Sequence, residues 1–395
     1  MKKNNKKGLR TWIEIDFEAV KSNFQEFKKN INRNTKLCSV VKSNAYGHSL
    51  IDFSKEMERL GVDWLAVDSI VEGLRLRKEG IEAPILVLGH TLPEMFLDAV
   101  KGDISVTIGS FNCLEKVVSR KDLFDLKIHL KFDTGMNRQG FKESDLKKVL
   151  NTLNSNKDLK IEGLYTHFAN AKKSRDRKSV ENQMDIFRRM KDEVFKAGFS
   201  PFVHVSATST VFASPEMNYD MVRVGIGMYG LWPSDDIKKH FQDKINLKRV
   251  LSWYSIVSDV KEASSGSAFG YGFTEKVSRD TRFAVIPIGY WHGYSRSLSS
   301  LSSVLIRGKR AKVLGIISMD ILVVDVTDIE KVNVGDTVTL IGVDGEEEVT
   351  VEELAEKSGT TKYEMITRIN PLIKRYIIKK YLQRIENHYT KVRNV

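Results

Sequence analysis

The sequence predicts an α/β protein in which a (β/α)8 TIM-type barrel is followed by a second, mostly β domain. With 395 residues, the chain is longer than one ordinary domain of about 100–200 residues. From about residue 16, short β-branched runs alternate with longer amphipathic stretches, as βα units of a parallel sheet do. After about residue 248 the helical patterns nearly vanish and short strands separated by turns follow.

Eight strand patterns favour a closed barrel over its alternative, an open doubly wound sheet. They occupy roughly 210 residues, close to the ~250 typical of a (β/α)8 barrel. Several read as continuous apolar runs, because parallel strands are buried on both faces. The candidate strands are Leu37–Lys42, Asp63–Val67, Ile85–Leu88, Ile104–Thr107, Leu126–Phe132, Ile161–Thr166, Phe202–Val205 and Met221–Val224.

The second domain is predicted from short strands with glycine- and aspartate-containing turns. Its candidate strands are Tyr254–Val260, Arg282–Ile288, Val304–Ile306, Val313–Ile316, Leu322–Val326 and Thr337–Ile341. We therefore expect a barrel over 12–245 and a β domain over 246–382. Residues 1–11 and 383–395 are expected to be basic, flexible ends.

Charge and composition narrow the function classes. The net charge of +12 would suggest an anionic partner. However, residues 1–10 hold five basic and no acidic residues, and residues 374–395 hold seven basic against one acidic. The body between them is nearly neutral and shows no basic stripe with interleaved aromatics, so no nucleic-acid partner is predicted. Two cysteines, no signal-peptide pattern and no stretch of about 18 apolar residues predict a cytoplasmic protein without a membrane segment.

The first motif that could carry chemistry is a lysine at a strand end. Lys42 ends an apolar run and is followed by the polar, glycine-containing turn Ser43–His48. In a barrel this is the face on which active sites are built. A lysine there can form a Schiff base with a carbonyl compound. The alternative is a lysine whose ammonium simply reaches solvent from the strand end.

A second strand end carries two cationic side chains. Lys131 closes the fifth strand, and Arg138 lies in the following turn, between Gly135 and Gly140. The planar guanidinium suits a carboxylate or phosphate, and the loop could fold Arg138 back toward Lys131. The alternative is an ordinary turn with surface charges.

The last strands add a histidine, an arginine and a glycine-rich backbone. His167 follows the sixth strand, where a histidine is as often structural as catalytic. Arg223 lies in the eighth strand and Gly225–Gly227 follow, at the place where barrels build phosphate sites. Thr208 adds a hydroxyl. Lysine, histidine, two arginines and a phosphate cradle, without a metal-ligand cluster, indicate pyridoxal phosphate and no metal.

These motifs resemble the alanine racemases, which are fold-type III pyridoxal-phosphate enzymes. The resemblance extends from Trp12 to about Arg375. The segment Val40–His48 carries it most specifically. The second domain contributes the motifs Gly270-Tyr271-Gly272, Ile286-Pro287-Ile288-Gly289-Tyr290, Ser318-Met319-Asp320 and Tyr363-Glu364.

The resemblance implies a role for each matching residue. Lys42 would bind the cofactor aldehyde and act as a base on one face of the substrate, and Tyr271 of a partner chain in a homodimer would be the base on the other. Arg223 would contact the pyridine nitrogen and, with His167, tune Tyr271. The implied cofactor-binding set is Lys42, Tyr46, His167, Thr208, Arg223, Gly225, Ile226 and Tyr363. Arg138 and the backbone of Met319 would take the substrate carboxylate, and Lys131 matches a position that is often carbamylated.

The implied function is a two-base interconversion of L- and D-alanine that supplies D-alanine for peptidoglycan and the cell wall. Alternatives are a broad-specificity or serine racemase of the same fold and a non-catalytic pyridoxal-phosphate-binding regulator. One departure bears on the substrate: Trp291 and His292 stand where the family pattern has alanine and aspartate. We expect a bulky ring and an imidazole near the substrate entrance.

Overall fold

The computed structural model describes residues 6, 8–171 and 177–379. The described chain forms two compact units: one holds residues 19–45 and 50–249, and the other holds those up to 18, 46–49 and those from 250 onward. The division between residues 249 and 250 lies near the expected boundary at 245. The first strand, however, belongs to the unit that holds the residues from 250 onward. The expected flexible end at 383–395 lies outside the described residues, as do 1–5 and 7.

The larger unit is the predicted barrel. After β1 (Thr11–Asp16), which belongs to the smaller unit, eight parallel strands pair in the order β8-β7-β6-β5-β4-β3-β2-β9. An isolated parallel bridge between Ala207 and Arg223 links the two ends of this sheet. The barrel strands are β2 (Lys36–Val40), β3 (Trp64–Val67), β4 (Ile85–Val87), β5 (Ile104–Ile108), β6 (Ile128–Lys131), β7 (Ile161–Tyr165), β8 (Phe202–His204) and β9 (Met221–Val224).

Helices follow the barrel strands, and some of them begin at serine caps. The Ser69 hydroxyl accepts the Glu72 N–H, and the Ser110 hydroxyl accepts the Cys113 N–H, which satisfies otherwise unpaired donors of the first turn. The helices up to Phe241 are α1 (Phe17–Lys29), α2 (Leu50–Arg59), α3 (Ile70–Lys78), α4 (Phe96–Lys101), α5 (Phe111–Val118), α6 (Leu146–Asn154), α7 (Arg177–Lys196), α8 (Thr208–Ala213) and α9 (Asp235–Phe241).

The smaller unit is mostly β, as predicted. Its main sheet runs β16-β15-β18-β10-β1-β20, with β19 paired to β18, and a second sheet runs β11-β14-β17. The strands are β10 (Leu251–Ile256), β11 (Asp259–Ala263), β12 (Ala268–Phe269), β13 (Glu275–Lys276), β14 (Thr281–Ile286), β15 (Ser303–Ile306), β16 (Lys309–Lys312), β17 (Leu322–Asp325), β18 (Thr337–Asp344), β19 (Glu347–Val349) and β20 (Arg375–Ile378).

The details of the smaller unit differ from the sequence expectation in several ways. The predicted strand Tyr254–Val260 is divided between β10 and β11, and the strands β1, β12, β13, β16, β19 and β20 were not predicted. The predicted strand Val313–Ile316 is absent as a strand, and only Val313 forms an isolated bridge. Two helices, α10 (Val351–Lys357) and α11 (Lys362–Thr367), form where few were expected. Each follows a threonine whose hydroxyl accepts an N–H from the first turn, so a capping signal was present in the sequence.

None of the helices formed by the described residues is both long and apolar enough to cross a membrane.

Candidate active site

The predicted site residues of the larger unit lie at one end of the barrel. Lys42 follows β2, Lys131 ends β6, His167 follows β7, and Arg223 lies in β9. Because the strands are parallel, their carboxyl ends meet at the same edge, which places these side chains around one mouth.

The turn that carries Lys42 has an unusual backbone. The strand β2 ends at Val40, earlier than predicted, because the chain enters left-handed conformations from Ser43 to Tyr46, with φ between 51° and 57°. None of these residues is glycine, so the conformation costs energy that the surroundings must offset. Glu72 contributes, since its carboxylate accepts the N–H groups of both Ser43 and Asp68.

The Lys42 ammonium has a carboxylate neighbour. Its Nζ lies 3.1 Å from Asp68 Oδ1, and both side chains are partly exposed. The sequence analysis did not single out Asp68, which follows β3 and therefore lies at the same edge of the barrel. The lysine is thus directed toward the barrel mouth and open to a ligand.

The loop after β6 is organised around one carboxylate. Asp133 accepts N–H bonds from Gly135, Asn137 and Arg138 at 2.8–3.0 Å. Burial acts to raise the pKa of this carboxyl, but the bonds together outweigh burial and lower it. Asn137 adopts a left-handed conformation, with φ of 53°. The loop is therefore held in one shape, and Arg138 extends from it into solvent, available to an anionic group.

Lys131 is buried, unlike Lys42. Its Nζ donates to Gln139 Oε1 at 2.9 Å and lies 5.4 Å from the centre of the Tyr165 ring. Burial, followed by the nearby positive charges of Arg138 and Arg223, lowers the pKa of Lys131 to about 8. A substantial fraction of this amine is therefore neutral, and nucleophilic, near physiological pH.

Arg223 is buried and fully held by the barrel. Its Nη1 donates to His204 Nδ1 and to the His204 carbonyl, each at 2.6 Å, and its Nη2 donates to the Thr166 carbonyl at 2.8 Å. The guanidinium also lies 5.0 Å from the centre of the Tyr165 ring, which stacks on His204. These contacts fix the guanidinium plane, so Arg223 presents a positive charge at a defined place.

The pKa of His167 reflects the positive charges around the barrel mouth. Burial lowers its pKa to about 3, with further contributions from the positive charges of Arg223, Arg138, Lys131 and Lys42, in that order. Four cations therefore act on one imidazole, which stays neutral. A site with this excess of positive charge suits a ligand that carries several negative charges, such as a phosphate ester together with a carboxylate.

The turn after β9 adds hydrogen-bond donors. Thr208 Oγ1 accepts the N–H of Gly225 at 3.2 Å and lies 3.5 Å from the N–H of Gly227. A Cβ at Gly227 would lie 2.6 Å from the Thr208 methyl, so only glycine allows this close approach. The hydroxyl and the adjacent backbone thus form a compact group of the kind that holds a phosphate. The residues present fit pyridoxal phosphate in charge and donor type.

The remaining predicted residues belong to the smaller unit. Within it, the rings of Tyr46 and Tyr363 lie 6.3 Å apart, and burial together with Tyr46 raises the pKa of Tyr363. Tyr271 and Met319 are exposed, with the tyrosine retaining 71% of its full accessibility. Tyr271 is thus accessible on the surface of its own unit.

Trp291 and His292 have different environments. Trp291 is exposed, and its backbone N–H donates to the Met319 carbonyl at 3.0 Å. His292 is mostly buried: its Nδ1 accepts the Gly289 N–H at 3.2 Å and lies 3.8 Å from Asp320 Oδ1. The imidazole therefore stabilises the local turn, and of these two side chains only the indole is exposed on the surface of this unit.

Sequence reasoning missed several residues that hold the site. Tyr165 and His204 contact Arg223, Asp68 pairs with Lys42, and Gln139 binds Lys131. A signal existed for His204 and Tyr165, since each is a polar group within an otherwise apolar barrel strand. Among the described residues, no cluster of three or more His, Cys, Asp or Glu side chains could hold a metal ion.

Comparison with known protein families covers nearly the whole chain. The model of the alanine racemase N-terminal domain matches residues 15–233, and that of the C-terminal domain matches residues 250–377.

Individual relatives agree with the family models. An alanine racemase of Methanococcus maripaludis is 37% identical over 369 residues, which span 92% of this chain and 97% of the relative. The alanine racemase of Halothermothrix orenii is also 37% identical, over 92% of this chain and 96% of its own. Among solved structures, the alanine racemase from Bacillus anthracis with bound L-Ala-P superposes with a TM-score of 0.88 at 33% identity, covering 94% of this chain and 95% of that one.

Proposed function

The chain belongs to the alanine racemase family, and we propose that it racemises alanine with Lys42 and Tyr271 as its two bases. It is a pyridoxal-phosphate-dependent isomerase that interconverts L- and D-alanine and supplies D-alanine for peptidoglycan. The observation that supports the residue assignments is electrostatic: after burial, the charges of Arg223, Arg138, Lys131 and Lys42 all lower the pKa of His167 at the barrel mouth.

The cofactor supplies what amino-acid side chains lack. When bound, pyridoxal phosphate provides an aldehyde that combines with amines and a conjugated ring that stabilises negative charge on the substrate α-carbon. Lys42 would hold the aldehyde, Arg223 the pyridine nitrogen, and the turn with Thr208, Gly225 and Ile226 the phosphate. Tyr46 and Tyr363 are assigned to the phosphate from the family resemblance.

Two bases are needed because racemisation removes a proton from one face of the α-carbon and returns one to the other. In our proposal, Nζ of Lys42 serves one face, and Asp68, 3.1 Å away, orients it. The phenolic oxygen of Tyr271 serves the other. Neutral His167, surrounded by cations, is assigned to tuning of Tyr271 together with Arg223.

Arg223 would keep the pyridine nitrogen of the cofactor unprotonated. A guanidinium donates hydrogen bonds and accepts none, and it stays protonated in proteins. A pyridine nitrogen held by Arg223 would accept a hydrogen bond and would need no proton of its own. We propose that this restrains electron withdrawal by the ring and so disfavours side reactions such as transamination. Arg138 and the backbone of Met319 would bind the substrate carboxylate.

The smaller unit has a surface that suits a second copy of the chain. It exposes several large apolar side chains, which a soluble monomer rarely groups together. The exposed residues include Tyr271, Phe273, Tyr290, Trp291, Met319, Ile321 and Leu372. Hydrogen bonds join its parts, since the Trp291 backbone N–H donates to Met319 O and the Asn370 side-chain amide donates to Trp291 O. We propose a homodimer in which this surface brings Tyr271 to the partner's barrel.

We also propose a cytoplasmic location. Both cysteines, Cys38 and Cys113, are buried free thiols, which suits a reducing compartment. Burial raises the pKa of Cys38 to about 12, so this thiol is unreactive.

The substrate assignment predicts that alanine is racemised faster than serine or larger amino acids. We expect a preference of at least about tenfold in kcat/KM, because an additional group must be accommodated near Trp291. Purified holoenzyme is incubated with a panel of L-amino acids, and the D-enantiomers are separated by chiral chromatography. Equal rates on serine or on larger amino acids would favour the broad-specificity alternative, and no D-enantiomer from any substrate would favour a non-catalytic protein.

Carbamylation of Lys131 is a separate proposal that the neutral amine supports. Only the unprotonated amine attacks CO2, so the modification should increase as the pH rises through about 8, the pKa of this buried lysine. We expect a carbamate carbon signal in NMR spectra of protein equilibrated with 13C-bicarbonate. The signal should vanish in Lys131→Ala and persist in the control Lys148→Ala, whose lysine is exposed. A signal retained in Lys131→Ala would contradict the assignment.

A further inference from the structure

A line of hydrogen bonds runs through the barrel core from Arg223 to the opposite end of the barrel. Arg223 Nη1 lies 2.6 Å from His204 Nδ1, His204 Nε2 lies 2.9 Å from His129 Nδ1, and His129 Nε2 lies 3.2 Å from Glu162 Oε2. Glu162 is the second residue of β7, so it lies at the amino end of the strands, where its side chain is 24% exposed.

The direction of every bond in this line follows from its ends. Arginine can only donate, so His204 Nδ1 must be the acceptor and its proton must sit on Nε2. His129 Nδ1 accepts the hydrogen bond from His204 Nε2. The proton of the His129 ring therefore sits on Nε2, directed at the Glu162 carboxylate. Burial lowers the pKa of both imidazoles, so each ring stays neutral with one donor and one acceptor.

The barrel is built around this line. A Cβ at position 163 would lie 2.3 Å from His129 Nδ1, so Gly163 leaves the room that the ring needs. The rings of Trp64 and Phe202 pack against His129 at 5.4 and 5.1 Å between centroids. At the far end, the Ser105 hydroxyl donates to the same Glu162 oxygen at 2.5 Å.

We propose that Glu162 is a positioning residue for Arg223 and acts through His129 and His204. The carboxylate is the terminal acceptor that selects one tautomer of each histidine. Without it, the proton of His129 is free to move to Nδ1, and His204 would then present an N–H to Arg223. Two donors would face each other, and Arg223 would lose one of the bonds that fix its guanidinium, while those to backbone carbonyls remain. The proposal rests on the assignment of Arg223 to the cofactor ring.

The test compares two variants at the remote end of the line. Glu162→Met keeps the length of the side chain but removes the acceptor, whereas Glu162→Gln keeps one carbonyl oxygen. We expect kcat for alanine to fall about tenfold in the methionine variant and less than about threefold in the glutamine variant, with KM nearly unchanged in both. The absorption band of the bound cofactor should shift in the methionine variant only. Asp125→Asn is the matched control. This exposed carboxylate lies shortly before β6 and pairs with Lys160.

A second readout is independent of catalysis and of the cofactor. In cofactor-free protein labelled with 15N-histidine, the wild type should show His204 protonated at Nε2, and the methionine variant should show a mixture of tautomers. Each histidine signal is assigned by its loss from a variant in which that one histidine is replaced.

The proposal is overturned if His204 of the wild type carries its proton on Nδ1, whatever the variants do. It is also overturned if Glu162→Met lowers only the free energy of unfolding while kcat, the absorption band and the tautomers stay unchanged. An error in the proposed role of Arg223 would appear differently: Arg223→Lys would leave the absorption band and kcat unchanged, and the tautomers would still follow Glu162.

Discussion

Replacement of Lys42 by alanine is expected to remove racemase activity and the covalent attachment of the cofactor together. Lys42 is assigned both the link to the cofactor aldehyde and the base for one face of the substrate. Loss of a positioned base alone costs roughly 10²–10⁴-fold. We expect a loss at or beyond the upper end of that range, because the attachment is lost as well.

Two measurements separate these roles. Borohydride reduction followed by peptide mass spectrometry should locate the cofactor on Lys42 in the wild type and nowhere in Lys42→Ala. Lys42→Arg keeps the charge beside Asp68 but cannot form the link, so it should behave like the alanine variant. Lys55→Ala is the control, since this exposed lysine of α2 pairs only with Glu79 at the barrel exterior. Cofactor trapped on another lysine, or activity retained in Lys42→Ala, would refute the assignment.

The barrel was predictable because its signals are local and repeated. Eight apolar runs at regular intervals specify buried parallel strands, and the structure has all eight. The strand ends could be identified as well, and the structure has Lys42, Lys131 and Arg223 at the same edge of the barrel, where each lowers the pKa of His167. Once the barrel is recognised, a motif at the end of a strand can be placed at the edge of the barrel where all the strands end.

The smaller unit was predicted less completely because its pairings join distant parts of the chain. Strand β1, near residue 11, pairs with β10 and with β20, which lie more than two hundred residues away. Nothing in a short window of sequence specifies such partners. The helices α10 and α11 are a different case: Thr350 and Thr361 each precede a glutamate by three residues, a capping pattern that could have been recognised.

The backbone around Lys42 and the pairing of His129 with His204 could not be predicted from residue types, although each histidine stands out as a polar residue in an apolar strand. Ser43, Asn44 and Ala45 take left-handed conformations that these residues disfavour, and only tertiary contacts such as those of Glu72 hold them there. His129 and His204 stand in strands that read as apolar, and their pairing depends on the packing of β6 against distant β8. Active-site residues are named by their motif, but their supporting contacts are determined by the fold.

Replacement of the Tyr271 hydroxyl is expected to stop proton exchange from one enantiomer of alanine only. Tyr271→Phe keeps the ring that we assign to the subunit interface and removes only the oxygen that acts as a base. In D2O, the variant should incorporate deuterium at the α-carbon of one enantiomer at nearly the wild-type rate through Lys42, while exchange from the other falls by roughly 10²-fold or more. Racemisation should be lost to the same extent. Equal losses for both enantiomers would exclude the two-base assignment.

The same variant tests whether the site is shared between subunits. Tyr271 is exposed on its own unit, and we place it against the barrel of a second copy. In a two-fold dimer with shared sites, a hybrid of one Lys42→Ala chain and one Tyr271→Phe chain has one intact site and one that lacks both bases. Random exchange of equal amounts of the two inactive variants should therefore restore about a quarter of wild-type activity. If each chain instead supplied both bases to its own site, the hybrids would stay inactive even when mass spectrometry shows that subunits have exchanged.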